Sequence, residues 1–460
     1  MSESLQSFVD YSQELGQGMD IDALIVRGIA ETKNQIRFSQ NKIDINKQWS
    51  SKTLHVLMVV DGDRVTIGEF TPSSKDMVKN QLISMAKFAK HMPFSPFFKG
   101  ITDTSEMYSP IPQQKDPRID EYRDKAPEDV NNCIDRALEA GAKRVAGSYF
   151  FGKKTLSFAS SAGPRGTYND TFFNMTIRAF QEELDASGQG LACGCIPSKA
   201  ENDLLVAGER AGRFSKMHQG AIQAAPGKYD IIMSPAVAAN ILAVIPRGAS
   251  PFAVMMGMSP LEDKMGDKLG PEFVSVYDNG LQPDGLGTAP FDLEGYPRQN
   301  TPIFSDGVLV NFIHNTSTAE LFQTESTGNS DLVPLAGRAK ALAPSPSNTV
   351  FNNGDHNFDE LLENGSRPTL YVTCNWYTRY TSRISTEYST IPRDAAFLVE
   401  NGELRTPVKN FRISDNILSH FANIDAMGND RVQVEWWQVF VPTWIPTVRV
   451  RDCRITTATK

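Results

Sequence analysis

The sequence predicts an α+β protein, with an N-terminal mixed α/β domain over residues 1–225 and a strand-rich, largely antiparallel C-terminal domain over 226–460. Three observations lead there. Helical and two-residue periodicities alternate along the first half of the chain. Beyond about residue 250, Gly, Pro, Asn and Asp interrupt short apolar runs at frequent intervals as far as Cys453, and long helical periods are scarce. A chain of 460 residues with 40% hydrophobic and 22% charged side chains is also long enough to build more than one core.

The first element is an amphipathic helix, in which Leu5, Phe8, Val9 and Leu15 recur at helical spacing and Gly16 is the expected stop. Strands follow: Ile36 and Phe38, then Ile43 and Ile45, alternate with polar residues, and the β-branched run 54–60 is turned back into 65–70 by Asp61-Gly62. From Ser74 to His91 the period is helical, with Met77, Val78, Leu82, Met85, Ala86 and Ala89 on one side. His91 at its end is read as structural, since a cationic side chain there suits the helix dipole. Residues 93–127 are rich in Pro, Asp and Ser and read as a long surface excursion. Pro127 opens a helix through Ala140 whose apolar face includes Cys133, with Gly141 just past the end. Short strands at 155–159 and 174–180 are joined by a polar turn from Gly163, and another helix is expected over 200–220. Tyr229 to Ser234 reads as a short buried strand, and Pro235 starts an apolar helix, AVAANILAVI. No repeat of fixed period is visible.

Composition narrows the function. Lys and Arg total 46 against 54 Asp and Glu, a net charge of −8 with no basic block, so no nucleic-acid partner is expected. No apolar run approaches the roughly 18 residues of a membrane span, and no membrane partner is expected. The first 16 residues show neither the basic nor the apolar region of a secretory signal, and five cysteines without a CxxC do not suggest a disulfide framework. A cytoplasmic location is therefore expected.

Chemical motifs are few. Neither GxGxxG nor GxxxxGK[ST] occurs, and Gly257-Met-Ser259-Pro-Leu lacks the last glycine of a nucleophile elbow. Six histidines are scattered so that no two share a helical turn, which leaves no HExxH-type zinc pair. Cys193-Gly-Cys195 could hold a soft metal but reads better as small residues in a glycine-rich strand or turn. Cys374 has no neighbouring His to activate it and reads as a packed thiol. Asp292 and Glu294 in PFDLEG would share one side of an extended strand, with a solvated turn or a hydrogen-bonded corner as the default reading. Trp436 and Trp437 would point to opposite faces, so that one could meet a partner chain.

Taken in order, several segments resemble the TldD/PmbA family. Pro226 to Pro235 followed by AVAANIL looks like the family's entry to its second domain. PFDLEGYP (290–297), Ser305-Asp-Gly-Val-Leu309, Ser326-Thr-Gly-Asn329, SNTVFNNGDHNFDELLENG (347–365), LVENGELRTPV (398–408) and the closing VPTWIPTVRVRDCRI are colinear with it. The catalytic branch of that family carries HExxxH on the helix after the strand, and a late cysteine ligand. Here the matching stretches, Ala236 to Ile245 and Ala426 to Val434, contain no His, Glu or Cys in those roles.

The resemblance therefore implies a TldE/PmbA-like subunit without catalytic residues, metal or cofactor of its own. It implies a heterodimer with a TldD-like metallopeptidase subunit that holds the zinc and, with this chain, encloses unfolded or small peptides. An extended peptide could pair with strand edges. The residues expected to meet it are Thr327, Gly328 and Asn329, where glycine permits close approach, and Asn375, Tyr377 and Arg379. A competing reading is a stand-alone homodimeric peptide-binding or scaffold protein, and a third is an enzyme using Cys374 or clustered carboxylates.

Overall fold

The computed structural model describes residues 4–103, 108–111, 114–183, 185–334, 340–363, 367–382 and 384–457. Its first half is a six-stranded antiparallel sheet with helices on one face. The helices are α1 (Leu5–Gln17), α2 (Lys75–Ala89), α3 (Ile119–Glu139) and α4 (Glu201–Met217). The strands are β1 (Ala23–Ser39), β2 (Lys42–Val60), β3 (Arg64–Phe70), β4 (Arg144–Ser160), β5 (Arg165–Phe180) and β6 (Ser187–Gly194), in the order β3-β2-β1-β4-β5-β6. Leu5, Phe8 and Val9 of α1 and Val78 and Leu82 of α2 bury Leu24, Val26, Leu54 and Val56. Tyr122, Val130, Cys133 and Ile134 of α3 and Leu204 and Ala207 of α4 cover Tyr149, Phe173, Met175 and Ile177.

Four differences from the sequence reading have physical causes. Gly16 lies inside α1 rather than ending it; a Cβ there would meet Leu24 Cδ2 at 2.5 Å, and the cap is Gly18. The third helix begins at Ile119, with Pro127 inside it. A mid-helix proline costs about 3 kcal/mol, which burial of Ile119, Tyr122 and Ala126 offsets. The excursion is correspondingly shorter than 93–127, and its residues 104–107 and 112–113 lie outside the described ones. The strands read at 155–159 and 174–180 are the ends of a long hairpin, β4–β5, paired from Arg144↔Phe180 to Ala159↔Arg165.

The second half contains β7 (Ile222–Gln223), β8 (Gly227–Met233), β9 (Val276–Asn279), β10 (Asn300–Ser305), β11 (Val308–Leu309), β12 (Ser330–Pro334), β13 (Lys340–Pro344) and β14 (Thr349–Phe351). It continues with β15 (Thr369–Ser382), β16 (Glu387–Glu400), β17 (Glu403–Lys409), β18 (Phe411–Asn416), β19 (Ile424–Met427), β20 (Val432–Trp436), β21 (Val439–Ile445) and β22 (Val448–Thr457). One sheet runs β11-β10-β9-β14-β21-β20. The other runs β15-β8-β22-β18-β16-β17-β7, with β19 on β22, and β15 also pairs with β16, so its strands close into a ring. Most pairings are antiparallel; β8–β15, β14–β21 and β7–β17 are parallel. The helix after β8, α5 (Pro235–Leu242), is wholly interior, with Val237, Ala238, Ile241 and Leu242 in the largest apolar cluster. Two short helices, α6 (Val244–Gly248) and α7 (Pro251–Met255), follow, and α8 (Thr316–Phe322) precedes β12. No helix among the described residues is long and apolar enough to cross a membrane.

The halves are joined by polar contacts. Arg178 of β5 pairs with the fully buried carboxylate of Asp394 in β16, which also accepts from Ser187 Oγ at 2.8 Å. Asn174 Nδ2 donates to Glu435 O at 2.7 Å, and Cys195 N donates to Asp284 Oδ1 at 2.6 Å.

Candidate functional site

Alternation along the strands gives the first sheet two unlike faces. In β5, Phe173, Met175 and Ile177 point to the helices, while Tyr168, Asp170 and Phe172 point the other way. In β1, Leu24 and Val26 go to the helices, while Arg27, Ile29 and Glu31 share the second face. The C-terminal half lays the turn 285–298 and the hairpin β12–β13 over that second face, leaving a cleft between them.

Phe291 anchors the turn. Its ring stands 4.6, 5.3 and 5.5 Å from those of Tyr108, Phe158 and Tyr168. Gly166 makes the room, since a Cβ there would lie 2.3 Å from the Phe291 ring. Burying such a side chain contributes about 2–3 kcal/mol. The next residues form a buried corner, the hydrogen-bonded alternative of the default reading for Asp292 and Glu294 and not the solvated turn. Asp292 Oδ1 accepts from the N–H groups of Glu294 (2.9 Å) and Tyr296 (3.0 Å), and Oδ2 from Ser330 N–H (2.9 Å). Glu294 Oε2 accepts from Thr316 N–H, the first residue of α8, at 3.0 Å. Burial raises the pKa of both, Arg298 and the backbone N–H groups oppose the rise at Asp292, and the Asp292 charge raises that of Glu294 further. PFDLEG is thus a hinge between halves, tying β5, α8 and β12 to one turn.

The cleft has three connected chambers. The middle one, of about 440 Å³, is the most polar, and its floor is built in rows across the strands. Ser51, Glu31, Lys154 and Asp170 are cross-strand neighbours, then Thr53, Ile29, Leu156 and Tyr168, then Glu69, His55 and Arg27. Arg298 from the turn forms part of the opposite wall. His55 and Glu69 continue into a chamber of about 600 Å³ lined by Phe94, Phe97, Phe98 and Phe252. Glu31, Lys154 and Asp170 continue the other way into about 340 Å³ beside Phe172, Trp437 and Phe440. Glu69 is paired with His55 at 3.6 Å and Lys340 at 3.3 Å. Among the described residues Arg27, Lys154, Arg298, Glu31 and Asp170 take part in no ion pair, and the buried Nε atoms of both arginines and Oδ1 of Asp170 have no hydrogen-bond partner. Burial pushes Asp170 up to about 6 and holds His55 below the usual imidazole range.

The residues expected to meet a peptide fall into two separate groups. Asn329 is buried and donates to Asp278 and Ser345 O, Thr327 Oγ1 donates to Asn329 Oδ1 at 2.6 Å, and Gly328, at φ 70°, sits against Pro297 O. This loop is internal scaffolding behind the cleft. Asn375 is also buried, while Tyr377 and Arg379 are exposed on the bulged part of β15. Tyr377 stacks edge-on with Trp437, 6.0 Å away. Trp436 is buried and Trp437 is 46% exposed, as their alternation predicted. Cys133, Cys195 and Cys374 are buried, and Cys374 Sγ donates to Gln189 Oε1. Burial holds the Cys374 thiol well above its usual range, as suits a packed thiol. Of the 347–365 segment, Asn364 and Gly365 lie outside the described residues. The cleft residues Arg27, Lys154, Tyr168, Asp170 and Arg298 went unnoticed in the sequence. The available signal was a charge at positions 27, 31 and 33 of a strand that begins as Ala-Leu-Ile-Val.

Residues 226–457 match the family model described as the PmbA/TldA metallopeptidase C-terminal domain. A metalloprotease of Methanocaldococcus jannaschii is 26% identical over 342 residues, 72% of each chain. Metalloprotease PmbA of Escherichia coli O157:H7 is 26% identical over 229 residues, 47% of this chain and 46% of its own. Among solved structures, a Thermotoga maritima protein described as a modulator of DNA gyrase aligns at TM-score 0.81 with 20% identity, covering 98% of this chain and all of that one. TldE from Thermococcus kodakarensis aligns at 0.79 with 16% identity, covering 98% and 99%. Both structures speak for the fold alone, and the α+β arrangement is theirs too.

These descriptions imply a metal ion, and the donor set can be compared with one. On α5 the one polar side chain is Asn240, an amide already engaged: Nδ2 donates to Gln438 O at 2.9 Å, and Oδ1 accepts from Asn375 Nδ2 (2.9 Å) and Thr378 Oγ1 (2.5 Å). Among the described residues no group of three or more His, Cys, Asp or Glu side chains is arranged to hold a metal. The residues do not fit a zinc site of the N/S/carboxylate kind.

Proposed function

Since the chain belongs to the PmbA/TldD metallopeptidase family, we propose that it acts as a TldE-like, non-catalytic subunit of a two-chain zinc peptidase that degrades unfolded or small peptides. The reading rests chiefly on α5. In a catalytic member the helix after β8 would supply imidazole and carboxylate groups, whereas here it supplies Asn240, locked into a buried amide and hydroxyl network. Such a network positions β15 and β20–β21 but activates no water. In this reading the zinc belongs to a TldD-like partner, and this chain contributes a wall of the chamber.

The cleft supports the peptide part of the reading. It is long, floored by a sheet, polar at its centre and aromatic at both ends, which suits an extended chain with varied side chains. Tyr377, Trp437 and Phe440, 46%, 46% and 77% exposed, offer aromatic area for a partner chain near its rim. Five free cysteines accord with a reducing cytoplasm.

The test is metal analysis and peptide hydrolysis with the purified chain, alone and mixed with an HExxxH-containing TldD-like chain from the same organism. The isolated chain should hold no stoichiometric zinc and cleave no peptide, and mixing should produce hydrolysis. One tightly held zinc per isolated chain would overturn the reading. A homodimer that ignores the TldD-like chain would favour the scaffold alternative.

A further inference from the structure

Arg27, Arg298, Lys154, Glu31 and Asp170 line the middle chamber without a direct ion pair among the described residues. Arg27 and Arg298 both line the chamber, Arg27 from the β1 floor and Arg298 from the opposite wall, and both act on the Tyr168 phenol. Neither has an ion-pair partner among the described residues, and each has a buried Nε–H with no acceptor. The one hydrogen bond described for Arg298 goes from Nη1 to Gly328 O at 3.3 Å, which fixes its direction and leaves the rest of the fork free. Asp292, close by, accepts three backbone N–H bonds and lies in the field of Arg298, but forms no direct ion pair with it. The other end is acidic. Glu31 and Asp170 flank Lys154 in a single cross-strand row, and one lysine cannot neutralise two carboxylates.

The separation of these ends is set by the sheet. Glu31 and Arg27 lie four residues apart on β1 and on the same face, about 13 Å along the strand. The row of Thr53, Ile29, Leu156 and Tyr168 lies between them. An extended peptide advances about 3.3–3.6 Å per residue, so a chain of three residues reaches about 10–11 Å and, with a hydrogen bond of about 3 Å at each terminus, meets both charged ends. A cavity of about 440 Å³ is also of the size such a ligand needs.

We infer that the middle chamber is a binding site for a short peptide with both termini free, its ammonium held by Glu31 and Asp170 and its carboxylate by Arg27 and Arg298. The peptide class rests on the proposed function; the demand for two opposite charges comes from the groups that form no direct ion pair. A charged hydrogen bond at each end gives the site length and polarity selection, while Ile29 and Leu156 between the ends offer the peptide's side chains no directional partner. The chamber would thus collect short peptides, such as hydrolysis releases, and pass over the interior of a long chain.

The experiment is titration calorimetry of the isolated full-length chain with trialanine, N-acetyl-trialanine and trialanine amide. Trialanine should bind, and blocking either terminus should weaken it at least tenfold. In Arg298→Met, which keeps the apolar stem, trialanine and its amide should bind alike while the N-acetyl form still binds worse. In Asp170→Asn the pattern should reverse. This crossed loss cannot come from misfolding, which would remove both discriminations together, and thermal melting checks each variant. Equal binding of all three peptides, or none at millimolar concentration, would overturn the inference. Single alanine binding as well as trialanine would overturn the assignment of the two ends. Because no partner chain is present, these outcomes are independent of whether mixing with a TldD-like chain yields hydrolysis.

Discussion

At the residue scale, burial decides chemistry. Asp170 has the ordinary backbone of a mid-strand residue, yet its carboxyl is held up at about 6 because burial in the cleft penalises the charged form more than Lys154 and Arg27 favour it. The sign of the consequence follows from which state binds the proton. Below the usual carboxylate range Asp170 is neutral in both folded and unfolded chains. Between there and about pH 6 the unfolded chain releases its proton first, so the folded state loses stability as pH rises, and above that the loss is constant. Asp170→Asn should therefore raise the melting temperature at pH 7.5, by an amount corresponding to about 1–2 kcal/mol with water in the cleft screening the charge. The gain should shrink toward zero near pH 4, and a gain independent of pH would show that the carboxyl ionises normally. Sequence inspection cannot see this, since an Asp in a polar stretch carries no mark of what lies opposite.

At the scale of elements, α5 is the informative case. Its sequence, PAVAANIL, announces a buried helix with a proline start, and that is what forms. The segment does not say why an asparagine sits in it. Asn240 is the hub for Asn375, Thr378 and Gln438, which come from β15 and from the turn between β20 and β21. Asn240→Leu would fit the apolar surroundings in size but remove three hydrogen bonds to buried and partly buried groups. At roughly 1 kcal/mol or more for each, the loss should reach about 3 kcal/mol, read as a lower urea midpoint with an unchanged slope. A neutral or stabilised variant would mean that the network is dispensable. The third helix teaches a different lesson: Pro127 reads as a start because local propensity favours it there, but apolar contacts of Ile119, Tyr122 and Ala126 carry the helix a further two turns toward the N-terminus.

At the scale of the whole molecule, the two halves are held in register by Phe291 in its aromatic slot and by the ion pair of Arg178 with Asp394. Asp394 is fully buried and Arg178 is 27% exposed on its side chain, so removing the cation leaves a carboxylate with Ser187 as its remaining side-chain donor. Arg178→Met should cost about 3–5 kcal/mol and lower the melting temperature. Pairing it with Asp394→Asn should recover part of that loss, and additive losses would argue against direct coupling. What the sequence determined by itself was the class of fold, the order of most elements, the absence of metal-ligating residues at 236–245 and the family likeness, because periodicity, composition and colinear motifs are local properties of a chain. Only the tertiary structure decided that PFDLEG is a buried hinge, that Asn329 and Asn375 are interior, and that Arg27, Arg298, Glu31 and Asp170 share one chamber. Arg27 and Arg298 are far apart in sequence, and their meeting depends on strand register and on how the two halves pack, which no local pattern encodes.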